Sequence, residues 1–195
     1  MNINSVSFGQ RQPLIMCYAK NEDNGTFIPV TFCELDPKDS KDIEDIDNLN
    51  NDDLYYKSLI ASDMYKHNDI NYLLGSNSER FFIIEDPNGS VLGITETSRN
   101  GQNVNIDYIS SSRKSPYKYI GQDMIASLCV DILKTDNIKK LLVPLPVKSA
   151  KNFYTKVCGF KYDWQGVLAM NRKQMQKFIN SVEEKTQKPI INLSI

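Results

Sequence analysis

Between Phe81 and Ser110 the chain is cut by two turn signals, Asp86-Pro87-Asn88-Gly89 and Asn100-Gly101. Asn-Gly pairs accept the tight backbone that a hairpin requires. The runs that they separate, Phe81–Glu85, Val91–Thr97 and Val104–Ser110, carry the residue types and alternation of strands. Three consecutive strands joined by tight turns read as an antiparallel meander.

Downstream the period changes. From Gln122 to Lys134, Met124, Ile125, Leu128, Cys129, Ile132 and Leu133 recur at helical spacing. Leu141-Leu142-Val143 then reads as a buried strand closed by Pro144 and Pro146, and a short helix follows over residues 149–158. Phe160–Trp164 and Val167–Met170 are short strands around Gln165-Gly166, and Met175, Phe178, Ile179 and Val182 mark a last helix. A strand, a helix and a second strand in this order place the two strands parallel.

Upstream, Leu14–Ala19 and Thr26–Leu35 flank Asn24-Gly25 as another hairpin. An acidic helix follows with a thin apolar stripe of Ile43, Ile46 and Leu49, then a helix over 54–67 with Tyr56, Leu59, Ile60, Met64 and His67 on one face. The fold class is α/β of the mixed α+β kind: a central, mostly antiparallel twisted sheet of about six to seven strands, flanked by helices. Residues 14–185 form one domain, with 1–13 a flexible polar leader and 186–195 a tail. The leader lacks the basic and apolar regions of a secretory signal, and no apolar run is long enough to span a bilayer.

The four cysteines are scattered, and His67 is the only histidine. Zinc needs clustered ligands, so no metal is expected, and four reduced thiols suit a cytoplasmic protein. A cysteine nucleophile served by His67 is an enzymatic alternative, but nothing brings the two together. Charge is divided along the chain: residues 1–112 hold 8 Lys and Arg against 18 Asp and Glu, and residues 113–195 hold 15 against 6. The basic half has no dense run with interleaved aromatics, so no nucleic-acid partner is expected.

Two motifs in this half carry chemistry. Lys118-Tyr119-Ile120-Gly121-Gln122 precedes the long helix, where first-turn amides and the helix dipole suit a phosphate. Ser149–Phe160 reads SAKNFYTKVCGF, with Ala150, Phe153, Tyr154 and Val157 on one face and Gly159 at the left-handed C′ position. In this order, with one strand between them, the motifs resemble the GNAT superfamily of acyl-CoA-dependent N-acetyltransferases, from about Val30 to Met170 and most strongly from Asp107.

The family's pyrophosphate loop has the pattern [Arg/Gln]-x-x-Gly-x-[Gly/Ala]. Here Pro116 takes the Arg/Gln place, Tyr119 that of the first glycine, and Gly121 that of the last. Its second motif ends Ala-x-x-x-Tyr-x-x-x-Gly-Phe. Ala150, Tyr154, Gly159 and Phe160 match with one extra residue before Gly159, and Val147 stands where an asparagine is common. The resemblance implies acetyl-CoA as co-substrate and transfer of its acetyl group to a primary amine of a small molecule, peptide or protein, by direct attack on the thioester.

It also implies residue roles. Main-chain amides at Ile109, Ser110 and Ser111 would pair with pantetheine and the oxyanion, and Pro116 to Gln122 would cradle pyrophosphate through Tyr119, Ile120 and Gly121. Lys118, Lys151 and Lys156 would meet the CoA phosphates. Tyr154 would stand near the sulfur, and Glu96 or Asp107 would serve as base. The acidic helices of 38–70 would shape a pocket favouring a cationic acceptor, in a monomer or homodimer. Two further readings keep the fold without turnover: an acyl-CoA-binding module, and an interaction domain that uses the acidic half.

Overall fold

The computed structural model describes residues 11–47, 54, 57–67, 79–112 and 114–193. Strands β1 (Gln12–Asn21) and β2 (Phe27–Leu35) form the first hairpin. Asn21 N–H donates to the Thr26 carbonyl at 2.8 Å, and Gly25 takes φ +71°. Helices α1 (Ser40–Asp47) and α2 (Lys57–His67) follow. The meander is β3 (Arg80–Glu85), β4 (Val91–Asn100) and β5 (Asn103–Ser111). Then come β6 (Tyr117–Lys118), α3 (Ile120–Leu133) and β7 (Lys140–Val143). A mixed helix begins as a 3-10 turn (Lys148–Ala150) and ends as a π-turn (Phe153–Val157). The chain closes with β8 (Lys161–Tyr162), β9 (Leu168–Asn171), α4 (Arg172–Thr186) and β10 (Ile191–Asn192).

The sheet order is β10-β1-β2-β3-β4-β5-β7-β9-β8, with β6 beside β1. The pair β5–β7 is parallel, as the intervening helix requires, and the other pairs are antiparallel. Among the described residues the sheet has 10 strands, more than the six to seven expected. The surplus includes β6 and β10, two-residue strands that are too short to show a period.

Both ends of the expected domain extend. The Arg11 side chain is 6% exposed and reaches Asp42 at 3.3 Å and Glu85 at 3.2 Å, so residues 11–13 belong to the fold and not to a leader. Asp42 also accepts the Asp36 N–H, which fixes the start of α1 against the sheet. The tail is likewise tied: β10 pairs with Ile15 and Met16, and Leu193 N–H donates to the Leu14 carbonyl.

Two apolar layers enclose the sheet. On one face α3 and α4 pack over Phe32, Phe82, Leu92, Leu141 and Met170. On the other, Ile43, Ile46, Ile60 and Met64 from α1 and α2 cover Phe81, Ile83 and Ile94. Leu59 is 48% exposed and leaves the expected apolar face, while Leu49, Tyr56 and the His67 side chain lie outside the described residues. All four cysteines are buried and none forms a disulfide. No helix among the described residues is long and apolar enough to cross a membrane.

Arg172 joins the two helices of the larger layer by donating to the carbonyl of Leu133 at the end of α3 and to those of Thr135 and Ile138 in the connection that follows. Gly93 sets how closely α3 approaches the sheet. A methyl group there would lie 2.8 Å from Met124 Sδ and 3.0 Å from the Ser110 carbonyl oxygen. Met124 can turn aside but the strand carbonyl cannot, so Gly93→Ala is expected to cost about 1–3 kcal/mol in chemical denaturation.

Candidate active site

The sheet splits between β5 and β7. Their pairing is confined to Asn103–Lys140, Val104–Leu141 and Asn105–Leu142. Beyond it, β5 continues along β4 to Ser111 with no strand on its other side among the described residues. The sequence dictates this: Pro144 and Pro146 cannot donate to a ladder and end β7 after four residues. Ser112 N–H donates to the Leu92 carbonyl at 2.8 Å, toward β4. Alternation therefore turns the Ser110 N–H toward β4, and those of Ile109 and Ser111 into the split. Of the three amides singled out in the sequence, two face the opening.

The start of α3 lies at the same open end. Ile120, Gly121 and Gln122 occupy its first turn, where no helical carbonyl accepts their N–H groups. No other described residue accepts them either. Ile120 is buried and its side chain joins the core of the larger layer. Tyr119 precedes the helix at φ +75°, a left-handed conformation that costs a non-glycine residue about 1–2 kcal/mol. That conformation accounts for glycine at the matching position of the family loop. The Tyr119 ring is covered by Lys185 of α4, with Nζ 3.1 Å from its centroid, and the same ammonium donates to Gln122 Oε1 at 2.9 Å.

Residues 116–121 do not form the open loop that the sequence suggests. Tyr117 and Lys118 pair with Asn21 and Lys20 of β1, and the Pro116 carbonyl accepts the Glu22 N–H. Unpaired groups at the end of β1 draw in two extended residues. Lys118 meets Glu22 at 2.8 Å across an exposed surface. Lys151 and Lys156 are exposed on the mixed helix, and the Phe153 ring lies 3.2 Å from where a Gly121 side chain would begin.

The mixed helix absorbs the extra residue before Gly159. Cys158 N–H donates to the Phe153 carbonyl and Phe160 N–H to that of Tyr154, both at 3.0 Å. The first is an i→i+5 bond, which takes up one residue without breaking the helix. Gly159 follows at φ +80° and releases the chain toward β8. This rotation exposes Val157 and buries Cys158, so Val157 does not share the face expected of it. Tyr154 is 5% exposed, with edge contacts to Phe153 at 5.4 Å and Phe160 at 5.6 Å.

On the α1–α2 face stand the two carboxylates. Glu96 pairs with Tyr108, whereas Thr97 pairs with Ile106, so Asp107 is the extra residue of a β-bulge. The bulge breaks the alternation that would place Asp107 with Ile109. Ile109 packs on the larger core, while Asp107 acts electrostatically on Glu96. Glu96 is 4% exposed, and its Oε2 has no hydrogen-bond partner among the described residues. Burial first, then the carboxylates of Asp63, Asp107 and Glu79, push Glu96 up to about 8, against the pull of Lys66. Asp107 is raised as well, by desolvation and by Glu79 and Asp63, against a hydrogen bond from Ser98. Asp63 also pairs with Lys66.

Sequence reasoning missed Asp63, Glu79 and Lys185 as neighbours of these groups. The acidic front half hinted at the first two; nothing local marks Lys185. It also missed Asp123 in the first turn of α3, which is 1% exposed and whose two carboxyl oxygens have no partner among the described residues. Desolvation holds the Asp123 carboxyl well above its ordinary range, with Lys185 opposing.

No protein-family model and no curated protein matches the sequence. Solved structures do match. A chimera of the Vibrio cholerae spermidine N-acetyltransferase SpeG with hSSAT is 18% identical, with a TM-score of 0.55 over 76% of this chain and 98% of its own. The Vibrio cholerae enzyme in complex with CoA and spermine is 18% identical, with a TM-score of 0.53 over 75% and 98%. Mutant forms of the spermidine/spermine enzyme give 17% and 0.52 over 76% and 96%. The chain has the fold of the GNAT acetyltransferases.

Proposed function

We propose that the protein transfers an acetyl group from acetyl-CoA to a primary amine carrying positive charge. The observation that carries this reading is the split between β5 and β7, one strand away from a buried carboxyl that shares its surroundings with three others. Pantetheine would enter the split and meet the N–H groups of Ile109 and Ser111, and the pyrophosphate would meet the first-turn amides of α3. The same amides of β5 would stabilise the oxyanion of the tetrahedral intermediate. Lys118, Lys151 and Lys156 are assigned to the CoA phosphates.

An alkyl amine titrates at about 10.4 and reaches a neutral site mostly as ammonium. The acidic cluster attracts that cation, and the cation in turn favours the ionised form of Glu96. Glu96, directly or through a water, takes one amine proton, with Asp107 as a neighbour that sustains the field. The nitrogen then attacks the carbonyl carbon and the C–S bond breaks; the leaving thiolate, which accepts a hydrogen bond from the Tyr154 hydroxyl, takes up the second amine proton and departs as CoA thiol. A positively charged acceptor agrees with the spermine bound in the Vibrio cholerae complex.

The burial of Tyr154 and the left-handed Tyr119 favour a second reading, an acyl-CoA-binding module without turnover. Two measurements separate the readings. Acetyl-CoA is expected to raise the thermal midpoint, and a polyamine is then expected to release free CoA thiol. Protection without release establishes the module; absence of protection removes both readings. Neutral or anionic amines that outperform polyamines remove the cationic acceptor alone.

A further inference from the structure

At the end of β7 opposite the split, the sheet carries a groove of about 410 Å³ that the acetyl-transfer reading does not use. Four lysines line it: Lys140 of β7, Lys161 of β8, and Lys173 and Lys177 of α4. Strand register brings the first two together. Lys140 pairs with Asn171 and Lys161 with Ala169, two residues apart on β9, so both side chains leave the same sheet face. Lys173 and Lys177 are four apart on α4 and therefore neighbours on its surface.

Among the described residues, none of these four ammonium groups has an ion-pair or hydrogen-bond partner. Asp163 is the one carboxylate in the lining, and its Oδ1 is engaged by the N–H groups of Gln165 and Val167. Four like charges around one concavity repel each other and concentrate a positive potential that a multivalent anion relieves. The basic balance of residues 113–195, 15 cations against 6 anions, extends that potential.

We propose that this groove binds a multiply charged phosphate ligand, of the polyphosphate or nucleoside polyphosphate class. Lysines present compact point charges with three donors each, which suit phosphate oxygens; no arginine fork is present to select a planar carboxylate. The charges surround a pocket and do not form a stripe, which favours a compact anion over a nucleic-acid backbone. Tyr162 at the rim is exposed and offers a face to a base. The site is separate from the cofactor's. The paired residues Asn103–Asn105 and Lys140–Leu142 form the closed end of β5 and β7, and the split opens away from it.

The test is calorimetric titration of the full chain with inorganic tripolyphosphate, at low and at physiological salt. Saturable binding of one equivalent is expected, weakening as salt rises. The double variant Lys161→Glu, Lys177→Glu is expected to weaken it by about tenfold or more. Both side chains are exposed, so the circular dichroism spectrum and the acetyl-CoA protection of the double variant should match the parent. ATP binding more tightly than tripolyphosphate, with the difference lost in Tyr162→Ala, identifies a nucleotide; equal affinity identifies the phosphate chain itself. The proposal is overturned if tripolyphosphate does not bind, if the double variant binds it unchanged, or if a short DNA duplex binds the groove more tightly.

Discussion

Glu96→Gln is expected to lower kcat/KM for a cationic amine by about 10²–10⁴-fold, the range of a lost general base. In the parent, kcat/KM should rise with pH through a limb near 8, where the buried Glu96 carboxyl ionises. The variant should lack that limb, because Gln cannot titrate. Removal of Asp107 should instead shift the limb downward, since one of the carboxylates that raise Glu96 is gone. This separates the two candidate bases by the shape of the profile.

The same residue makes a stability prediction of definite sign. Its folded-state carboxyl titrates near 8, above the 4.5 of an ordinary glutamate. Between those values the native state holds a proton that the unfolded chain has released. Stability therefore falls as pH rises from about 4.5 to about 8, and the full penalty remains above that window. Glu96→Gln removes it. The variant should match the parent near pH 4 and exceed it near pH 9 by on the order of a few kcal/mol, read by urea denaturation.

The second large effect is at Tyr154. Tyr154→Phe keeps the ring between Phe153 and Phe160 and removes only the hydroxyl. Loss of one hydrogen bond to a developing thiolate should lower kcat by about 10–100-fold. The KM for acetyl-CoA should stay near the parent's, because the bond strengthens only as sulfur gains charge. Stability should change by only about 1 kcal/mol, whereas Tyr154→Ala opens a core cavity at a cost of about 3–5 kcal/mol. A Phe variant with unchanged kcat would assign Tyr154 to packing alone.

Local signals made the meander and α3 legible. Asp86-Pro87-Asn88-Gly89 and Asn100-Gly101 each close a hairpin, and the apolar stripe of α3 lies buried. The parallel β5–β7 pair followed from the strand–helix–strand order, and its early end from two prolines. What stayed hidden depends on register or on distant partners. The bulge that reorients Asp107 marks the sequence of β5 only by the adjacent apolar pair Tyr108 and Ile109, which pack on opposite layers. The pairing of Tyr117 and Lys118 with β1 joins residues almost a hundred positions apart. The spacing irregularity after Tyr154 was visible, but its solution as a π-turn needs the carbonyls of Phe153 and Tyr154 in place. Lys185 reaches Tyr119 and Gln122 only because α4 lies along α3.

Free CoA thiol, measured as it appears when the purified chain is mixed with acetyl-CoA and spermidine, bears most directly on this account. Thiol should appear in step with acetylated amine, faster than background hydrolysis and dependent on Glu96. Acetyl-CoA that stays intact beside every amine offered, while still bound by the chain, would contradict it.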